Sequence, residues 1–252
     1  MIETPLFYVV AIVAVLIVGI SKGGFVGGFG IVAVPMMAMI IDPRQAAAIM
    51  LPILCAMDIV AMKIFWGQWD KRSLISIIPG AVIGIFFGGL SFKYLSADII
   101  RIIVGTVTVL FVMQYYLIDR RRKNDPGLNY NNMKGGFFGA LSGFTSFIAH
   151  AGGGPLSMYL FPLKLDKTKL MATSVIFFAV VNYVKLIPYV WLGQFSSENF
   201  FTSLILLPLA PIGVKIGVWM HHRVSNDVFY NICYTALFFT GFKVAFDGIF
   251  SL

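Results

Sequence analysis

The 252-residue chain is 59% hydrophobic and 12% charged, with mean hydropathy +0.88 and a formal net charge of +8. Soluble domains carry about a quarter charged residues, so this composition excludes a water-soluble globular protein and leaves no room for a separate soluble domain. The basic residues are scattered over short loops rather than gathered on one face, which excludes nucleic acid as a partner and reads as membrane topology.

Apolar runs occupy about 5–21, 25–41, 45–66, 73–92 and 97–118, then 135–150, 154–165, 168–192, 199–220 and 226–250. A run of about twenty residues crosses a hydrocarbon core of roughly 30 Å as a helix. The alternating pattern of a transmembrane barrel is absent, so helices are the spanning element. The first run follows Glu3 and no basic residue, which marks a retained span and not a signal peptide. Cys55 and Cys233 both sit inside apolar runs, as small hydrophobes do.

One strongly polar stretch divides the chain. Positions 119–134 hold Arg120, Arg121, Arg122 and Lys123, then Pro126-Gly127 and Asn129, Asn131 and Asn132. The sequence therefore predicts an all-α polytopic membrane protein: a first repeat at 1–118, a basic linker at 119–134 and a second repeat at 135–252, with eight to ten spans. Placing the linker in the cytoplasm puts Lys71/Arg72, Lys164/Lys167/Lys169 and His221/His222/Arg223 on the same side, as the positive-inside rule asks. The expected location is the bacterial inner (plasma) membrane.

The two halves resemble each other. Pro79, Ala81, Ile83, Gly84 and Gly88 recur 129 residues later as Pro208, Ala210, Ile212, Gly213 and Gly217. Gly19, Gly23 and Pro35 meet Gly139, Gly143 and Pro155 at an offset of 120, and Ala46, Gly67 and Gln68 meet Ala172, Gly193 and Gln194 at 126. Five segments per half is an odd number, so the halves are expected to lie inverted across the membrane, an architecture that opens a central site to either side in turn.

Each half opens with a glycine-rich interruption: Lys22-Gly23-Gly24-Phe25-Val26-Gly27-Gly28-Phe29-Gly30, and His150-Ala151-Gly152-Gly153-Gly154-Pro155. Such runs mark broken helices, and a helix restarting after a break presents unpaired N–H groups that suit an anion. Gly80-Gly84-Gly88, Gly135-Gly139-Gly143 and Gly213-Gly217 have instead the spacing of close helix packing, either within the chain or in a homodimer.

Ionisable residues deep in apolar runs are the second pointer, since each is costly to insert. Asp58, His150 and Lys185 qualify, and Asp58 and Lys185 fall on corresponding segments, where an ion pair between them is expected. Asn182 shares the helical face of Lys185, Lys22 abuts the first break, and Ser142 and Thr145 offer hydroxyls beside the second. The expected substrate site is thus Lys22, Gly23, Gly24, Gly27, Gly28, Ser142, Thr145, His150, Gly152, Gly153, Gly154, Asn182 and Lys185, with Asp58 as coupling residue. Asp58 and His150 are also the titratable candidates for proton coupling. No enzyme, nucleotide or metal motif is present, so no catalysis and no cofactor are expected, and the partners are a small anion and the bilayer.

Gly139-x-x-x-Gly143, Gly152-Gly153-Gly154-Pro155 and Ala172-Thr173-Ser174, with the first-half stretch from Gly23-Gly24 to Pro35, resemble the signature of the TauE/SafE family of sulfite and organosulfonate permeases. The resemblance implies a carrier for sulfite, sulfoacetate or a related sulfonate. An anion channel or a carrier of an unrelated small solute is the alternative.

Overall fold

Helix starts are written in short polar residues at the ends of the apolar runs. The Asp42 carboxylate accepts from the Arg44 N–H at 2.8 Å, Asn131 from Lys134 at 3.0 Å, Asp166 from Thr168 at 2.9 Å and Ser196 from Asn199 at 3.1 Å. Each caps a helix by satisfying an N–H that has no partner within it. Asp166 lies in a loop, where burial pushes its carboxyl up but hydrogen bonds from Thr168 and Asn226 outweigh that and hold it below the usual carboxylate range.

The computed structural model describes residues 5–26, 33–38, 40–91, 97–117 and 129–250. Within them the helices are α1 (Pro5–Gly24), α2 (Ala33–Ala38), α3 (Pro43–Ile64), α4 (Lys71–Ser91), α5 (Ala97–Leu117) and α6 (Asn132–Ala149). They continue as α7 (Gly153–Leu160), α8 (Lys167–Trp191), α9 (Ser197–Leu206), α10 (Leu209–Arg223) and α11 (Asn226–Phe250). No strand occurs among the described residues. Gly27, Gly28 and Gly30, and linker positions 119–128, lie outside them.

Five of these helices are long and apolar enough to cross a membrane, and the pair α9 and α10, bent by 44°, makes a sixth. The run predicted as one segment over 199–220 is therefore two helices. Pro208 sits at the bend, where its ring and missing N–H interrupt the helical ladder. Ile75, Phe86, Leu110, Phe239 and Phe250 are each more than half exposed on the outer faces, an apolar belt that suits lipid.

The halves interlock crosswise. The closest helix pairs are α4 with α6, α1 with α10 and α5 with α11. Small residues make these approaches possible. A Cβ on Gly84 would lie 2.0 Å from the Ala140 carbonyl oxygen, one on Gly139 2.2 Å from that of Ile77, and one on Gly217 2.2 Å from that of Ile20. The three Gly-x-x-x-Gly runs are thus taken up in packing within the chain.

Gly23 and Gly24 belong to the same seam. They fall inside α1, where added Cβ atoms would meet Val214 O at 2.1 Å and Gly217 O at 2.6 Å. The expectation that the helix is broken at Gly23 and Gly24 is corrected: α1 runs on through Gly24, and α10 fills the space their missing side chains leave.

Matching turns follow α3 and α8. Gly67 (φ +76°) and Gly193 (φ +65°) occupy the left-handed region with open space around them, where glycine ends a helix without strain. Beyond the first turn, Asp70 N–H donates to Thr173 Oγ1 near the start of α8 at 2.8 Å. Beyond the second, Asn199 accepts from Gln45 Nε2 at the start of α3 at 3.0 Å. The end of α3 therefore meets the start of α8 and the end of α8 the start of α3, so the two helices run antiparallel.

One pole of the molecule gathers the basic loops. Lys167 Nζ donates to the carbonyls of His221 (2.9 Å) and Val224, Lys169 lies 4.0 Å from Asp70, and Arg72 stacks on the Tyr130 ring.

Candidate functional site

The antiparallel pair α3 and α8 carries cavity-lining residues, apolar and polar, at helical spacing on facing stripes. On α3 these positions are Met50, Leu54 and Asp58; on α8 they are Ser174, Phe178, Asn182 and Lys185. With Val18, Ser21 and Lys22 from α1, and Ser146, His150 and Gly153 from the junction of α6 and α7, they enclose a cavity of about 90 Å³. That is room for several waters or a small polyatomic anion.

Both Asp58 oxygens are engaged. Lys22 Nζ donates to Oδ1, and Asn182 Nδ2 donates to Oδ2 at 2.7 Å. Asp58 is fully buried, while 14% of the Lys22 side chain remains accessible. The expected Asp58–Lys185 pair is thus corrected. The end of α1 brings Lys22 to the carboxylate first, while Lys185 turns to α6, donating to Ser146 O at 3.1 Å and to Ser146 Oγ at 3.2 Å.

Those acceptors are neutral, and an ammonium has three donors. Lys185 is fully buried, so the cavity holds a cation that no carboxylate bridges among the described residues. Two lysines and one aspartate line the space. With Lys22 and Asp58 cancelling each other, the formal charge left over is the one on Lys185.

Two further polar atoms on the cavity wall have no partner among the described residues: His150 Nε2 and Ser174 Oγ. His150 closes α6 in the left-handed conformation at φ 53°, a place where glycine is the ordinary choice. Gly153 opens α7 and lines the same cavity as Lys185, His150 and Ser174, so the positive end of that helix's dipole lies at the cavity wall. Gly152 and Gly154 stand back from the cavity. Their absent side chains leave room for Ser142 and Ser146 in the one case and Thr108 in the other.

Ser142 and Thr145 do not line the cavity either. Ser142 Oγ donates to the Gly152 carbonyl at 2.7 Å, and Thr145 Oγ1 donates to Leu141 O at 2.8 Å. They fasten the second break. A Thr hydroxyl beside its own helix carbonyl bonds backwards more readily than to a ligand.

Ser21 and the apolar lining were not singled out from the sequence, and Ser174 was named there only within the family-like run Ala172-Thr173-Ser174. Ser174 was findable, since it lies two turns before Asn182 and three before Lys185 on one helical face.

Against known proteins, the family model described as "Sulfite exporter TauE/SafE" matches residues 11–244. No curated protein and no solved structure matches the chain.

Proposed function

We propose how this chain, which belongs to the sulfite exporter TauE/SafE family of membrane transporters, moves its substrate: as a gradient-driven carrier that binds one small sulfur-containing anion in the cavity between α3 and α8. The observation that carries this reading is Lys185. A fully buried ammonium with only neutral acceptors is costly in a membrane protein and is kept where it meets a partner.

An oxyanion placed there accepts from the third Lys185 donor, from Ser174 and His150, and from the Gly153 amide at the start of α7. Together these supply charge and several donors at short range, as sulfite or a sulfonate headgroup requires.

Alternating access follows from the crosswise packing. The Asp70–Thr173 contact closes one end of the α3–α8 pair and the Gln45–Asn199 contact closes the other, with the cavity between them. Matching glycine turns and crossed helix pairs support two inverted repeats, 1–118 and 135–252, that rock about this site. The basic pole faces the cytoplasm with the linker 119–134, in the plasma membrane.

The test is flux of labelled sulfite and of an organosulfonate into proteoliposomes. Saturable flux that falls at least tenfold in Lys185→Met supports the carrier. Flux of no sulfur oxyanion removes the substrate assignment, and unaltered flux in the variant removes Lys185 from the site.

A further inference from the structure

We infer that the cavity selects singly charged organic oxyanions with a short apolar substituent over dianions, a refinement that rests on the carrier reading above. The lining holds Lys22, Asp58 and Lys185 as its lysines and carboxylate. Lys22 and Asp58 neutralise each other, and Asp58 has both oxygens occupied. One positive charge, that of Lys185, is left to be matched. A monoanion brings the filled cavity to neutrality. A dianion leaves a net negative charge in a largely buried site, where no second lysine or arginine without a carboxylate partner lines the cavity among the described residues.

The apolar part of the lining says what the rest of the substrate is. Phe25, Val26, Met50, Leu54 and Val175 all face the cavity and are all buried. None of them offers an anion a side-chain hydrogen-bond donor, so the second pole of a symmetric polar anion is left without partners there. A short alkyl group covers that surface and gains about fourfold in affinity for each methylene it buries. The charged headgroup then lies toward Lys185, Ser174 and the start of α7.

The experiment is calorimetric titration of the purified full chain with methanesulfonate, propanesulfonate, ethane-1,2-disulfonate and sulfate. The expected order is propanesulfonate tightest, methanesulfonate next, and both dianions roughly tenfold or more weaker than propanesulfonate. A disulfonate or sulfate that binds as tightly as propanesulfonate overturns the charge count and leaves the carrier reading standing. Binding of none of the four, with no sulfite binding either, overturns that reading and this inference with it.

A variant tests the same count independently. Asp58→Asn keeps an amide oxygen for Lys22 or Asn182 and raises the cavity's charge by one. The ratio of disulfonate to propanesulfonate affinity is expected to rise at least tenfold in this variant. An unchanged ratio in folded Asp58→Asn protein contradicts the inference, and the wild-type series decides it if the variant does not fold.

Discussion

His150 takes a backbone conformation against local preference. A non-glycine residue in the left-handed region costs on the order of 1–2 kcal/mol, and glycine is the residue that ends helices there without that cost. The chain instead places on the cavity wall an imidazole whose Nε2 has no partner among the described residues. His150→Gly is therefore expected to raise thermal stability by about 1 kcal/mol and to weaken anion binding; thermal unfolding and calorimetry on one preparation check both. A variant that is destabilised, or that binds normally, contradicts the assignment. Lys185→Met is the companion case. Removing a buried charge held by neutral acceptors leaves stability equal or higher while flux is lost, whereas a merely structural lysine would give the opposite pattern. Asp58, Asn182, Lys185 and Lys22 were all legible in the sequence as candidates, because ionisable or amide groups stand out in apolar runs. Their pairing was not. Whether Lys22 or Lys185 reaches Asp58 depends on where α1 ends against α3, a long-range fact that spacing along one helix does not carry.

At the scale of elements, glycines divide into two kinds that the sequence does not separate. Gly84 and Gly23 face carbonyl oxygens of neighbouring helices at 2.0 and 2.1 Å from an added Cβ, so both hold seams. Gly67 has open space but a positive φ. Gly84→Leu is expected to abolish folded protein in detergent, judged by gel filtration, while Gly67→Ala is expected to fold and lose only about 1 kcal/mol. Gly23→Ala separates packing from binding: reduced stability is expected, with the substrate Kd of the folded fraction unchanged. A Kd shifted tenfold in stable Gly23→Ala protein would return that glycine to the site. Long helices such as α3, α4, α8 and α11 were readable within a few residues, since continuous apolar runs mark them. The bend between α9 and α10 was not read, because Pro208 also fits the repeat motif that begins at Pro79 and drew attention as a match instead of as an interruption.

For the whole molecule, two polar contacts stand at opposite ends of an antiparallel helix pair with a cationic cavity between them. Asp70 with Thr173 and Lys169 closes the basic pole, and Gln45 with Asn199 closes the other. Weakening one contact biases the population toward the state open at that end, by an amount set by the lost hydrogen bond, about 1 kcal/mol or some fivefold. Thr173→Val and Asn199→Leu are accordingly expected to shift accessibility of a cysteine placed in the cavity toward opposite sides of the membrane, read with impermeant thiol reagents. The repeat itself was visible in the sequence through Gly67/Gly193 and Pro79/Pro208. Its crosswise packing, α1 on α10 and α4 on α6, needed three dimensions.

The central claim, a carrier whose two ends open in alternation around one anion, is tested most directly by distance measurement between spin labels at each pole. One label pair flanks Asp70 and Thr173 and the other flanks Gln45 and Asn199, each followed in proteoliposomes with and without propanesulfonate. The account predicts that the two distances change in opposite senses, with no population in which both are long. A state open at both poles would mark a channel, and distances that ignore the anion would contradict the account.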